Sequence, residues 1–130
     1  MRALAMMIPM LFALVACKGA ALRAKAAGDF ACSEDEIETE GIQPYVESAS
    51  GCGHSSAYLH DGKSWKSPLE RAAFDLSCPA NELTTRHLGG GQVGVSGCGK
   101  KATYVVDLKP SYGGVVPAGW IMNTASTKDD

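Results

Sequence analysis

The chain has no Cys-x-x-Cys, no Gly-x-Ser-x-Gly and no apolar run of about 20 residues. Without closely spaced cysteines there is no dithiol redox centre. Without a serine elbow, the plentiful serines and His54, His60 and His87 point to no hydrolytic triad. Without a long apolar run there is no spanning helix. Aromatic residues make up 7% of the chain, so Trp65 and Trp120 have no cluster of neighbours to form a sugar-stacking platform. A net charge of −2 gives no electrostatic footprint for nucleic acid. Lys and Arg are missing altogether between residues 26 and 61, where Asp29, Glu34, Asp35, Glu36, Glu38, Glu40, Glu47 and Asp61 fall.

What is present is a duplication. Residues 26–61 and 72–107 align without a gap at an offset of 46. Asp29, Cys32, Glu36, Thr39, Ser50, Gly51, Cys52, Gly53, Tyr58 and Asp61 recur as Asp75, Cys78, Glu82, Thr85, Ser96, Gly97, Cys98, Gly99, Tyr104 and Asp107. Ile37 with Leu83 and Ile42 with Leu88 keep the apolar pattern, as expected when each copy builds the same small core. Units this small are marginal without a staple. The repeat supplies one, pairing Cys32 with Cys52 and Cys78 with Cys98, although four cysteines allow three connectivities.

The fifth cysteine lies in a leader-like stretch. Arg2 precedes an uncharged apolar run, Ala3 to Ala16, that stops at Cys17-Lys18, the layout of a secretory signal. Leu14-Val15-Ala16-Cys17 resembles the lipobox of bacterial lipoproteins. That resemblance implies cleavage before Cys17, a lipid on its thiol, and a membrane as partner through the N-terminal lipid. An ordinary signal cut after Ala16 is the alternative. Export would place the remaining cysteines in an oxidising compartment. Lys18 carries no inner-membrane retention signal, which favours the outer membrane.

Local signals predict a helix followed by strands in each copy. Ser67-Pro68-Leu69-Glu70 reads as a capping box, Leu69, Ala72, Ala73 and Leu76 as an apolar helix face, and Pro79 as a stop. Glu36-Ile37-Glu38-Thr39-Glu40 alternates with period two, as does Leu83 to Leu88. Turns are expected at Gln43-Pro44 and Gly89-Gly90-Gly91. A further strand ends at each Gly-Cys-Gly, where glycine permits positive φ or a close backbone approach. The expected fold is α+β: two tandem small modules, each a short helix packed on a three- to four-stranded antiparallel sheet, disulfide-stapled. The expected boundaries are signal 1–16, lipidated tether 17–25, first module 26–66, second module 67–123 with a loop containing Pro110, Gly113, Gly114, Pro117 and Gly119 before Trp120, and flexible tail 124–130.

An alanine-rich helix with Phe30 or Phe74 near its end, Cys78-Pro79, a Gly-Cys-Gly followed by Tyr58 or Tyr104, and a later Trp65 or Trp120 form a pattern. It resembles a small cysteine-containing module of bacterial lipoproteins and secreted proteins of unknown function, and it implies no catalytic residues. Zinc would need Cys32, Cys52, His54 and His60, but Lys100 and Val106 stand at the two histidine positions of the second copy while both cysteines persist. Disulfides, no metal and no cofactor are therefore expected. The leading expectation is a lipid-anchored cell-envelope protein, not an enzyme, acting as a structural or interaction module for an envelope protein partner. The alternative is binding of a small ligand or cation through the acidic first module, with Glu36, Glu38 and Glu40 as its contact face.

Overall fold

The structure, a computed structural model, describes residues 13–127, with side chains from residue 19 to residue 125. The first copy contains α1 (Ala13–Phe30), a 3-10 turn (Glu34–Glu36), β1 (Glu38–Gln43), β2 (Val46–Gly51), β3 (His54–His60) and β4 (Trp65–Lys66). The second contains α2 (Leu69–Asp75), a 3-10 turn (Ala80–Glu82), β5 (Thr84–Gly89), β6 (Gln92–Gly97), β7 (Lys100–Ser111) and β8 (Gly114–Thr127). The strands form two four-stranded antiparallel meanders, β1-β2-β3-β4 and β5-β6-β7-β8. Disulfides join Cys32 to Cys52 and Cys78 to Cys98, as the repeat implied. The α+β, two-unit, disulfide-stapled architecture is present.

Both helices end in the same cap. Ala31 and Ser77 take positive φ. Cys32 N–H then donates to the Ala27 carbonyl, and Cys78 N–H to that of Ala73, while Ala31 and Ser77 donate to Gly28 and Phe74. This is a Schellman arrangement, usually built on glycine. The first half-cystine of each pair therefore sits on a helix end whose carbonyls are already satisfied. At the start of α2, the Ser67 hydroxyl accepts from Leu69 N–H at 2.9 Å. The reciprocal Glu70 arm of the expected capping box is absent among the described hydrogen bonds, and α2 stops at Asp75, short of Pro79.

The second half-cystine occupies a turn rather than a strand. Gly51 pairs with His54 and Gly97 with Lys100, leaving Cys52-Gly53 and Cys98-Gly99 as two-residue hairpin loops. All four loop residues have positive φ, the requirement of a type I′ turn. The glycine before each cysteine serves another purpose. A Cβ on Gly51 would lie 2.7 Å from the Glu36 carbonyl oxygen, and one on Gly97 2.5 Å from that of Glu82. The 3-10 turn presses directly on the strand end, bringing each turn cysteine to its helix-end partner with Cα atoms 6.0 and 5.9 Å apart.

Two apolar clusters hold these units. Leu22, Ala26, Ala27 and Phe30 of α1 cover Ala49 and Tyr58, with Ile37 alongside. The larger cluster joins the copies: Val46, Ala57 and Leu59, on the other face of the first sheet, meet Leu69, Ala72 and Leu76 of α2 and Val93, Val95, Ala102 and Tyr104 of the second sheet. At the junction, His87 N–H donates to the Ser55 hydroxyl at 2.9 Å, and Trp120 Nε1–H to the Lys66 carbonyl at 3.0 Å. Each core tyrosine donates to an aspartate on its own helix, Tyr58 to Asp29 and Tyr104 to Asp75, both at 2.8 Å.

Several expected boundaries differ. Residues 17–25, read as a tether, lie within α1, where Leu22 is fully buried. The expected loop of residues 108–119 is a hairpin arm, because β7 and β8 stay paired out to Ser111 and Gly114. Prolines fit there since only two strands are paired. Residues 124–127, read as tail, continue β8, with Thr127 opposite Lys100. Most of the expected signal, residues 1–12, and residues 128–130 lie outside the described residues. So do the side chains of Cys17 and Lys18. Among the described residues no helix is long and apolar enough to cross a membrane.

Candidate functional site

The two sheets differ most on the face turned away from their own helix. On the second sheet, register places Thr84, Ser96 and Lys101 in one row and Arg86, Gly94, Thr103 and Thr124 in the next. The Thr84 and Ser96 hydroxyls lie 3.1 Å apart. The Leu88 side chain lies over Gly94, where an added Cβ would meet its methyl at 3.5 Å. With Gly53, His54 and Ser55 of the first copy as one wall, these residues line a groove of about 790 Å³. Among the described residues no carboxylate lines it.

The corresponding face of the first sheet is closed. Val46, Ala57 and Leu59, at the repeat positions of Gln92, Thr103 and Val105, are buried against the second copy. Thr84 and Arg86 replace Glu38 and Glu40. The ion pairs among the described residues are Lys25–Asp29, Lys66–Asp61, Arg71–Asp75 and Lys109–Asp107; Arg86 and Lys101 are in none of them.

The three glutamates do not share one face. Glu38 and Glu40 are exposed on β1. Glu36 belongs to the 3-10 turn, and its carboxylate lies against the first disulfide, 2.8 Å from Cys52 Sγ and 3.3 Å from Cys32 Sγ. Glu82 repeats the contact at Cys98, 3.3 Å away. Sulfurs bonded to each other carry no thiol proton and offer no thiolate, so these are close contacts rather than hydrogen bonds or metal sites.

The histidines are dispersed. His54 stacks on Phe30 with centroids 5.7 Å apart, His60 meets the edge of Trp65 at 4.8 Å, and His87 Nε2 lies 2.8 Å from the Gly90 carbonyl oxygen. Asp61 serves its turn: N–H donors of Ser64 and Lys63, with Lys66 beside them, hold its carboxyl well below the usual range. Burial, then Asp29, pushes the Tyr58 phenol up; burial and Asp75 do the same for Tyr104.

Sequence reasoning weighted the acidic copy and overlooked Thr84, Arg86, Lys101 and Thr103. The available signal was the charge reversal from Glu40 to Arg86 at a position facing away from the helix. Compared with known proteins, the chain matches no family model, no curated protein and no solved structure.

Proposed function

We propose that the protein is an exported, lipid-anchored cell-envelope module that binds rather than transforms its ligand, through the groove on the second sheet. The carrying observation is the contrast between the copies. Core, cap and disulfide positions repeat, whereas the outer face is apolar and covered in one copy, polar and open in the other. Two disulfides support an oxidising compartment. The leader-like N-terminus and Cys17 support a lipid anchor on the outer membrane.

Two measurements test this reading. Intact mass of native protein should show an N-terminus at Cys17 carrying acyl mass; a different start or an unmodified thiol removes the anchor. A photoreactive residue at Ser96 should give an adduct on intact cells, and one at Glu70 on α2 should not. Equal adducts from both positions would sink the groove as the binding face. The competing surface is the exposed Glu38 and Glu40, which a cation or basic envelope partner would use. It predicts a calcium-dependent rise in melting temperature that disappears when Glu36, Glu38 and Glu40 are all replaced by Gln.

A further inference from the structure

We propose that the groove on the second sheet takes a small phosphate-bearing sugar or polyol, its anionic group held between Arg86 and Lys101. This rests on the reading of the groove as a binding site and adds the ligand's chemistry.

Three features of the lining set that chemistry. The first is charge: Arg86 and Lys101 rise from β5 and β7 on either side of β6, and neither has a carboxylate partner among the described residues. With strands about 4.8 Å apart, β5 and β7 stand roughly 10 Å from each other, and Arg86 and Lys101 lie in adjacent rows of the same sheet face, both lining the groove. Between them on β6, Ser96 contributes only a hydroxymethyl, while Gly94 is covered by Leu88. A guanidinium offers a planar fork that matches phosphate oxygens, and an ammonium adds a second charge.

The second feature is a field of hydroxyls from Thr84, Ser96 and Thr103, able to donate and accept. That suits a polyhydroxylated body better than a bare ion. The third is Leu88, 49% exposed, whose methyls cover Gly94 and offer an apolar contact for the C–H face of a ring. The volume of about 790 Å³ lies within the usual range for small-molecule sites. The basic lining, with no acid facing the groove among the described residues, favours an anion over a cation. The acids of the first copy, Glu38 and Glu40, are the residues replaced here by Thr84 and Arg86.

The experiment is an amide-resolved NMR titration of the full oxidised chain with glucose 6-phosphate, glucose and inorganic phosphate. Parallel samples receive vesicles of phosphatidylglycerol or of phosphatidylcholine. Glucose 6-phosphate should shift residues 84–88, 94–96 and 101–103, more tightly than either glucose or phosphate alone. Arg86→Gln and Lys101→Gln should each weaken binding at least tenfold at unchanged melting temperature, since both side chains are exposed. Groove shifts with phosphatidylglycerol vesicles only would keep the phosphate chemistry but assign its source to a lipid headgroup and overturn the free sugar phosphate. Equal binding of glucose would overturn the anionic ligand while leaving the groove as a binding site. Shifts spread over the whole surface, binding undiminished in both variants, or no shift with any probe would overturn the proposal; the photoreactive residue at Ser96 then decides independently whether the groove binds anything.

Discussion

Removing one phenolic oxygen from each copy tests whether the two cores are held by the same polar device. Tyr58 and Tyr104 are fully buried, and each donates at 2.8 Å to a carboxylate of its own helix. A hydrogen bond to a charged group contributes about 1.5–3 kcal/mol. The aspartates keep 21% and 14% side-chain exposure, so water recovers part of that on Tyr→Phe, leaving an expected loss of about 1–2 kcal/mol. The copies should differ in a definite order. After Tyr104→Phe, Asp75 retains Arg71 Nε at 3.1 and 3.3 Å from its two oxygens, whereas after Tyr58→Phe, Asp29 retains, among the described residues, only Lys25 at 4.0 Å. Tyr58→Phe is therefore the costlier change. Asp29→Ala should cost at least as much, since it strands a buried phenol with no acceptor. Urea unfolding of the oxidised protein at neutral pH, with the double variant closing the cycle, gives the coupling directly. If both Tyr→Phe variants unfold within about 0.5 kcal/mol of the parent, the buried phenol–carboxylate pairs do not hold the helices on their sheets.

The same phenols set an alkaline limit. Both have raised folded pKa values, so their contribution is complete below the unfolded value near 10 and is lost above it. Stability should fall by up to roughly 2.7 kcal/mol per pH unit from two protons, and Tyr58→Phe should halve that slope in a pH series of melts. At the hairpins, Gly97→Ala forces a Cβ to 2.5 Å from the Glu82 carbonyl oxygen and should cost about 2–3 kcal/mol. Gly99→Ala meets only a positive φ in open space and should cost about 1 kcal/mol; equal effects in urea would contradict the assigned roles. Ala57→Thr places a hydroxyl in the shared core and should destabilise by about 1–3 kcal/mol, while Thr103→Ala at the matching open position should stay within about 0.5 kcal/mol. Reduction of both disulfides should lower the melting temperature sharply, each bridge contributing about 2–5 kcal/mol; an unchanged melt would show that the staples are dispensable.

The cysteine pairing and the turns at Pro44 and Gly90 were legible because each has a local or repeat signal. The helix ends were not, since Ala31 and Ser77 hold positive φ without being glycine. Glu36 was misplaced because the alternation Glu36-Ile37-Glu38 runs unbroken from a 3-10 turn into a strand, and periodicity cannot show where pairing begins. Pro110, Pro117, Gly113 and Gly119 read as loop residues, yet two strands paired only with each other accommodate them, with a register shift at Asp107/Leu108. The groove was hidden for another reason. Its rows take one residue from each of several strands, so it exists only in the register and not in any stretch of sequence.

Duplication separates the residues that build from those that differentiate. The caps at Ala31 and Ser77, the turns at Cys52 and Cys98 and the pairs Tyr58–Asp29 and Tyr104–Asp75 occupy equivalent places, because each satisfies a backbone or side-chain group that the fold itself buries. The outer faces have no such obligation in common. In the first copy that face must be apolar, since it packs on the second; Val46, Ala57 and Leu59 supply the contact. In the second copy Gln92, Thr103 and Val105 take those positions, and Thr103 lines the groove together with Arg86 and Lys101. The scaffold beneath is the same in both copies while the outer faces differ, so the ligand proposed for this protein is to be sought at the open second sheet rather than at the acidic strand of the first.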